Sequence, residues 1–135
     1  MPEIYEVQTA TFKMKAAETT LNFGCCAVLD TATEGQVTRP AAANAGNIAG
    51  VLRETSHAAG ATAKYQISGY AKCAISEAVA IGDKLIVANV AGQVKPAGTG
   101  AHSSGVGKVG VARSAATTAG SLVVVLLTIP NEYGS

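Results

Sequence analysis

The chain has 135 residues, with 10 basic and 9 acidic side chains, a formal net charge of +1, 48% hydrophobic residues and only 4% aromatic ones. That length fits a single domain or two very small ones. Charged residues make up 14%, against about a quarter in an ordinary globular chain, and no basic cluster is interleaved with aromatics, which speaks against nucleic-acid binding. The longest aliphatic run has six residues, far short of the roughly 20 needed to span a bilayer, so no membrane anchor is expected.

The opening, MPEIYEVQTATFK, has neither the basic start and apolar stretch of a signal peptide nor the character of a transit peptide, so synthesis in a cytoplasm is expected. Residues 1–15 are rich in charge. They read either as an N-terminal arm that orders on binding or as a first strand with a frayed start. Short runs rich in Val, Ile and Thr, each bounded by Gly, then predict strands at Gln8 to Lys15, Cys25 to Asp30, Ala49 to Glu54, Ala63 to Ile67, Tyr70 to Ile75, Lys84 to Asn89, Gly107 to Arg113 and Ser121 to Ile129. Ser76 to Ile81 and Pro40 to Ala45 carry Ala, but neither shows a face repeating every 3.6 residues over two turns. The fold class expected is all-β, a compact domain over residues 8–129 with a short tail at 130–135.

The chain also echoes itself. Leu21 to Leu29 (LNFGCCAVL) aligns with Val79 to Val87 (VAIGDKLIV). Gly35-Gln-Val then meets Gly92-Gln-Val, Pro40-Ala meets Pro96-Ala, and Gly50-Val-Leu-Arg meets Gly110-Val-Ala-Arg. The common order predicts two similar β units, about 8–67 and 66–129, sharing one core because each alone is near the lower size limit for an independent domain. Thr62 to Ile67 is mixed and Leu122 to Leu127 wholly aliphatic. The latter strand is therefore either central and covered on both faces, or covered on its second face by another subunit.

Candidate chemistry is sparse. Cys25 and Cys26 are adjacent and point to opposite faces of a strand. One of the two therefore reads as a small buried hydrophobe, and with Cys73 they form an odd set without metal-type spacing. His57 and His102 fall between predicted strands and read as surface loop residues. Ser103-Ser104 lacks a nucleophile elbow, and the Gly-rich stretch from Gly98 to Gly107 lacks the Gly-Lys-Thr/Ser ending of a phosphate loop. Asp83, after Gly82, reads as a turn carboxylate accepting backbone N–H bonds. Arg53 and Arg113 occupy equivalent repeat positions, as strand-end clamps or as contacts to a partner. No enzyme, metal or cofactor is expected.

The order AVAIGDKLIV (Ala78–Val87), GQVKPA (Gly92–Ala97), a Gly/Ser loop, then VGVARSAATTAGSLVVVLL (Val109–Leu127) resembles the small capsid decoration, or cement, proteins of tailed bacteriophages. The resemblance is strongest from Ser76 to Leu127. It implies a β-barrel or β-tulip-like domain that forms homotrimers on the outer surface of an icosahedral head and clamps neighbouring major capsid subunits. Candidate subunit or capsid contacts are then Ile4, Tyr5, Val7, Phe12, Arg53, Arg113, Val123 and Val125. The competing reading is a non-catalytic β-sandwich binding or adhesin module on a virion surface. A sugar-binding version is disfavoured by six aromatics and no Trp.

Overall fold

The computed structural model describes residues 8–15, 21–40, 47–97 and 108–128, all as strands, turns and connecting segments without a helix. The strands are β1 (Thr9–Met14), β2 (Leu21–Asn22), β3 (Cys26–Leu29), β4 (Gln36–Thr38), β5 (Ile48–Leu52), β6 (Ser56–His57), β7 (Thr62–Gln66), β8 (Tyr70–Ala74), β9 (Lys84–Val87), β10 (Val94–Pro96), β11 (Lys108–Ala112) and β12 (Leu122–Leu127). Each of the eight predicted strands is present within a few residues. Period-two patterning sets their faces: on β7, Ala63 and Tyr65 are buried while Thr62 and Lys64 are exposed.

Five strands close a barrel in the order β1-β4-β3-β5-β7, through antiparallel β1/β7 pairing and a short parallel β1/β4 contact at Met14↔Val37. The second sheet runs β10-β9-β11-β12-β8. Laid on β4, β3, β5, β7 and β1, it has the same neighbours in the same directions, and β8 approaches β10 in parallel at Ile75↔Val94. Even irregularities recur. Ala49 is an extra residue on β5 opposite β3, as is Val109 on β11 opposite β9. The next residues, Gly50 and Gly110, press against the neighbouring strand: an added Cβ would lie 2.7 Å from the Gln66 carbonyl oxygen in one case and 2.2 Å from that of Leu126 in the other.

The two sheets differ at one seam. In the first barrel the Lys13 N–H donates to the Gly35 carbonyl, and the Lys15 N–H to that of Val37. In the second, the Ser76 N–H donates to the Val94 carbonyl, matching the latter bond. The other bond is opened: the Ala74 N–H donates to the Gly24 carbonyl (2.9 Å) and the Gly92 carbonyl accepts from the Cys26 N–H (2.7 Å). The turn before β3 thus wedges into the second sheet and takes both ends of the missing bond. Only glycine fits there. A Cβ on Gly92 would stand 2.4 Å from the Cys26 carbonyl oxygen, and one on Gly24 3.1 Å from that of Lys72.

This interlock explains the core. Met14, Leu21, Cys25, Ala27, Val37, Ala49, Leu52, Ala63 and Tyr65 fill the first barrel. The second core joins Cys73, Ile75, Leu85, Val87, Val94, Val109, Val123 and Val125 to Cys26, Ile48 and Val51 of the first. Strand β5 is therefore buried at every residue. Cys25 and Cys26 do take opposite faces of the chain, yet both are buried, because a core lies on each side. Strand β12 is settled similarly. Val123 and Val125 point into the second core at 1% and 0% exposure, which removes them as surface contacts; Leu122 (44% exposed) and the half-buried Val124 and Leu126 point outward.

Candidate functional site

His57 lies on β6 and is 1% exposed, so the surface-loop expectation is corrected. Its Nε2 sits 2.6 Å from the Ala61 carbonyl oxygen, which can only accept, so Nε2 carries the proton. In the neutral ring Nδ1 then accepts from the Tyr65 hydroxyl at 2.7 Å. Phe12 packs edge-on against Tyr65 (centroids 5.9 Å apart) and is half-buried against the first core. Tyr65 takes the inward place that Val125 has in the second sheet, and His57 packs against it. Both partners are saturated and closed off from solvent, the arrangement of a buried structural pair.

Burial pushes the Cys73 thiol up to about 12, with the neighbouring Cys25 adding to the effect. It holds the thiols of Cys25 and Cys26 and the phenol of Tyr65 above their ordinary values as well. Such thiols remain protonated and inert at neutral pH. The folded state retains these protons when the unfolded chain has lost them, so stability is fully present below about pH 9 and falls as pH rises through it. The slope is at most about 1.4 kcal/mol per pH unit for each group. Urea midpoints measured between pH 8 and 11 should drop progressively; a flat profile would show that these groups ionise freely in the fold. Among the described residues no three His, Cys, Asp or Glu side chains stand together as a metal site.

Arg53 and Arg113 occupy matching strand ends, where their backbones act alike. The Arg53 N–H donates to the Lys64 carbonyl, and the Arg113 N–H to that of Val124. The following side chain caps the return strand in both: Glu54 Oε2 accepts from the Lys64 N–H (2.7 Å), and Ser114 Oγ from the Val124 N–H (2.8 Å). The guanidinium groups are left on the surface, both residues being exposed. Asp83 Oδ2 accepts the Ala80 N–H (2.9 Å), as a turn carboxylate should. Ile4, Tyr5, Val7, His102, Ser103, Ser104 and the Gly-rich loop lie outside the described residues.

The concavity with a mixed lining lies between the closed barrel and the second sheet. It is an open cleft of about 380 Å³ bounded by Phe23, Val51, Leu52, Arg53 and Gln66 on one side and Tyr70, Ala71, Lys72 and Val124 on the other. Sequence reasoning missed it because it exists only where β5, β7, β8, β12 and the turn before β3 come together.

Fold and surface together define an all-β protein of two interlocked five-stranded units with a cationic, aromatic-walled cleft. No family model matches the chain, and no curated protein matches it in sequence. Among solved structures, the N base of head fiber gp8.5 of bacteriophage phi29 is similar, with a TM-score of 0.65 over 93% of this chain and 98% of that one, at 13% identity. At that identity the likeness establishes a shared fold.

Proposed function

We propose that this chain is a structural virion protein: a decoration or cement subunit that binds the outside of an icosahedral phage head as a trimer and stabilises contacts between major capsid subunits. The observation that carries the reading is the shared fold, which spans nearly the whole of both chains when the partner in the comparison is the base of a phage head fiber. The sequence resemblance to decoration proteins points the same way. So does the surface, where Ile81 (69% exposed) and Val90 (53%) join Leu122 as large apolar side chains in water. Many modest contacts repeated over a shell hold firmly through multivalency rather than through one tight site.

The test is co-sedimentation with expanded heads lacking the protein. Binding should saturate in multiples of three copies per threefold position and raise the temperature at which heads rupture. A stable monomer that leaves such heads bare would end the proposal.

A further inference from the structure

The cleft between the barrel and the second sheet carries two polar groups, on Gln66 and Lys72, with no partner among the described residues. Gln66 is 5% exposed, and its Nε2 donates to the carbonyl oxygens of Ser68 (2.9 Å) and Tyr70 (2.5 Å). Those bonds fix the amide so that Oε1 remains as an acceptor with no partner among the described residues, at the wall of the cleft. An acceptor held in this way at the wall of an open cleft is available to a donor from outside the chain.

A matching donor lies across from it. On β12, the N–H and C=O of Val124 are both engaged on the β11 side, by Ser114 Oγ and the Arg113 N–H, so Val124 and its register partner Lys72 form a non-hydrogen-bonded pair. The backbone of Lys72 therefore faces away from β12, toward the first barrel. The neighbours at the same parity confirm the direction: the Tyr70 carbonyl accepts from Gln66, and the Ala74 N–H donates to Gly24. The Lys72 N–H has no partner among the described residues. One acceptor and one donor facing a cleft match the C=O and N–H of an extended peptide, the groups used when a strand adds to a sheet edge.

The walls define the side chains of that peptide. Among the described residues, Arg53 and Lys72 supply two cations and Phe23 and Tyr70 two aromatic rings, and no carboxylate lines the cleft. Glu54, next to Arg53 in the chain, is engaged by the Lys64 N–H. We infer that this cleft docks an extended acidic peptide segment of a partner protein, its backbone meeting Gln66 Oε1 and the Lys72 N–H and its carboxylates meeting Arg53 and Lys72. The source of the segment, a capsid subunit, rests on the proposed function; the chemistry of the cleft does not.

The experiment titrates the full ¹⁵N-labelled chain with the acetylated, amidated peptide EVEIEVE and with its QVQIQVQ counterpart. Expected are amide shifts confined to Lys72, Gln66, Arg53 and their neighbours, saturating with the acidic peptide and at least tenfold weaker with the glutamine one. The Arg53→Glu/Lys72→Glu variant should lose that binding while keeping the wild-type spectrum elsewhere. Shifts that scatter over the surface, equal response to both peptides, or no response at millimolar peptide would overturn the inference. So would a heparin tetrasaccharide that saturates the same amides more tightly, which would reassign the cleft to a sugar. Tenfold tighter peptide binding after deletion of residues 1–7 would show that the chain's own acidic start competes for the cleft, and would overturn the assignment to a partner. Head binding by the double variant separates the two proposals. Wild type that takes the peptide but ignores heads sinks the capsid function alone; a double variant that binds heads like wild type removes the capsid as the source of the segment.

Discussion

Gly92→Ala should destabilise the protein by about 3 kcal/mol or more, whereas Gly35→Ala, at the matching turn of the first barrel, should cost only about 1–2 kcal/mol. Both glycines have left-handed backbones, at φ 86° and 79°, so both substitutions incur the same local strain. Around Gly35 nothing lies within 4 Å of an added Cβ, and its exposed turn absorbs the methyl group. At Gly92 the methyl would meet the Cys26 carbonyl oxygen at 2.4 Å and the Cys26 amide nitrogen at 2.9 Å. To relieve that clash the second sheet must withdraw from β3, which breaks the Cys26 N–H to Gly92 carbonyl bond and uncovers Cys26, Ile48 and Val51. Urea unfolding of the two variants, compared by midpoint at equal slope, reads the difference directly. Equal losses would mean that the barrels do not interlock at this turn.

Val125→Ser should cost about 3 kcal/mol and Val124→Ser no more than about 1 kcal/mol, although the two residues are adjacent in an unbroken aliphatic run. Val125 is wholly buried in the second core, so the smaller serine leaves a cavity and places a hydroxyl where no partner faces it. Val124 is half-buried and opens on the cleft, where a hydroxyl meets water. The matching positions in the first barrel make the same distinction in different chemistry. Tyr65 occupies the place of Val125, and Lys64 that of Val124. The large Tyr65 is accommodated because Ala27, Ala49 and Ala63 stand where the second core has Leu85, Val109 and Val123. Thermal or urea unfolding of both serine variants checks this; equal destabilisation would put both faces of β12 in the interior.

Much of this architecture is visible in the residues. Alternation in Thr62 to Gln66 and Gly-bounded aliphatic runs place eight strands. Strands β2, β4, β6 and β10 have two or three residues each, too few for any alternation to register. Gly-Gln-Val at Gly35 and Gly92 draws notice only as an echo; in the fold it opens β4 and leads into β10. His57 was misplaced because its partner sits eight residues on. The available signal was Tyr65 itself, an inward tyrosine whose hydroxyl requires a partner. The aliphatic run Leu122–Leu127 announces burial without saying which face is buried. That depends on where the β3 wedge enters, and no local pattern encodes a contact between Cys26 and Gly92. The cleft is hidden for the same reason: Arg53 and Lys72 are ordinary surface cations until the barrels bring them to one concavity.

The wedged seam is what joins the closed barrel and the second sheet into one body. Native-state hydrogen exchange at the Cys26 and Ala74 amides tests this most directly, since among the described residues these two N–H groups make the backbone–backbone bonds that cross between the units. The interlock predicts that both exchange only with global unfolding, with the same opening free energy and denaturant dependence as Val51 and Val125 in the shared core. Exchange of Ala74 and Cys26 through a cheaper opening, with the first-barrel core still protected, would show two barrels that part independently and would contradict the account.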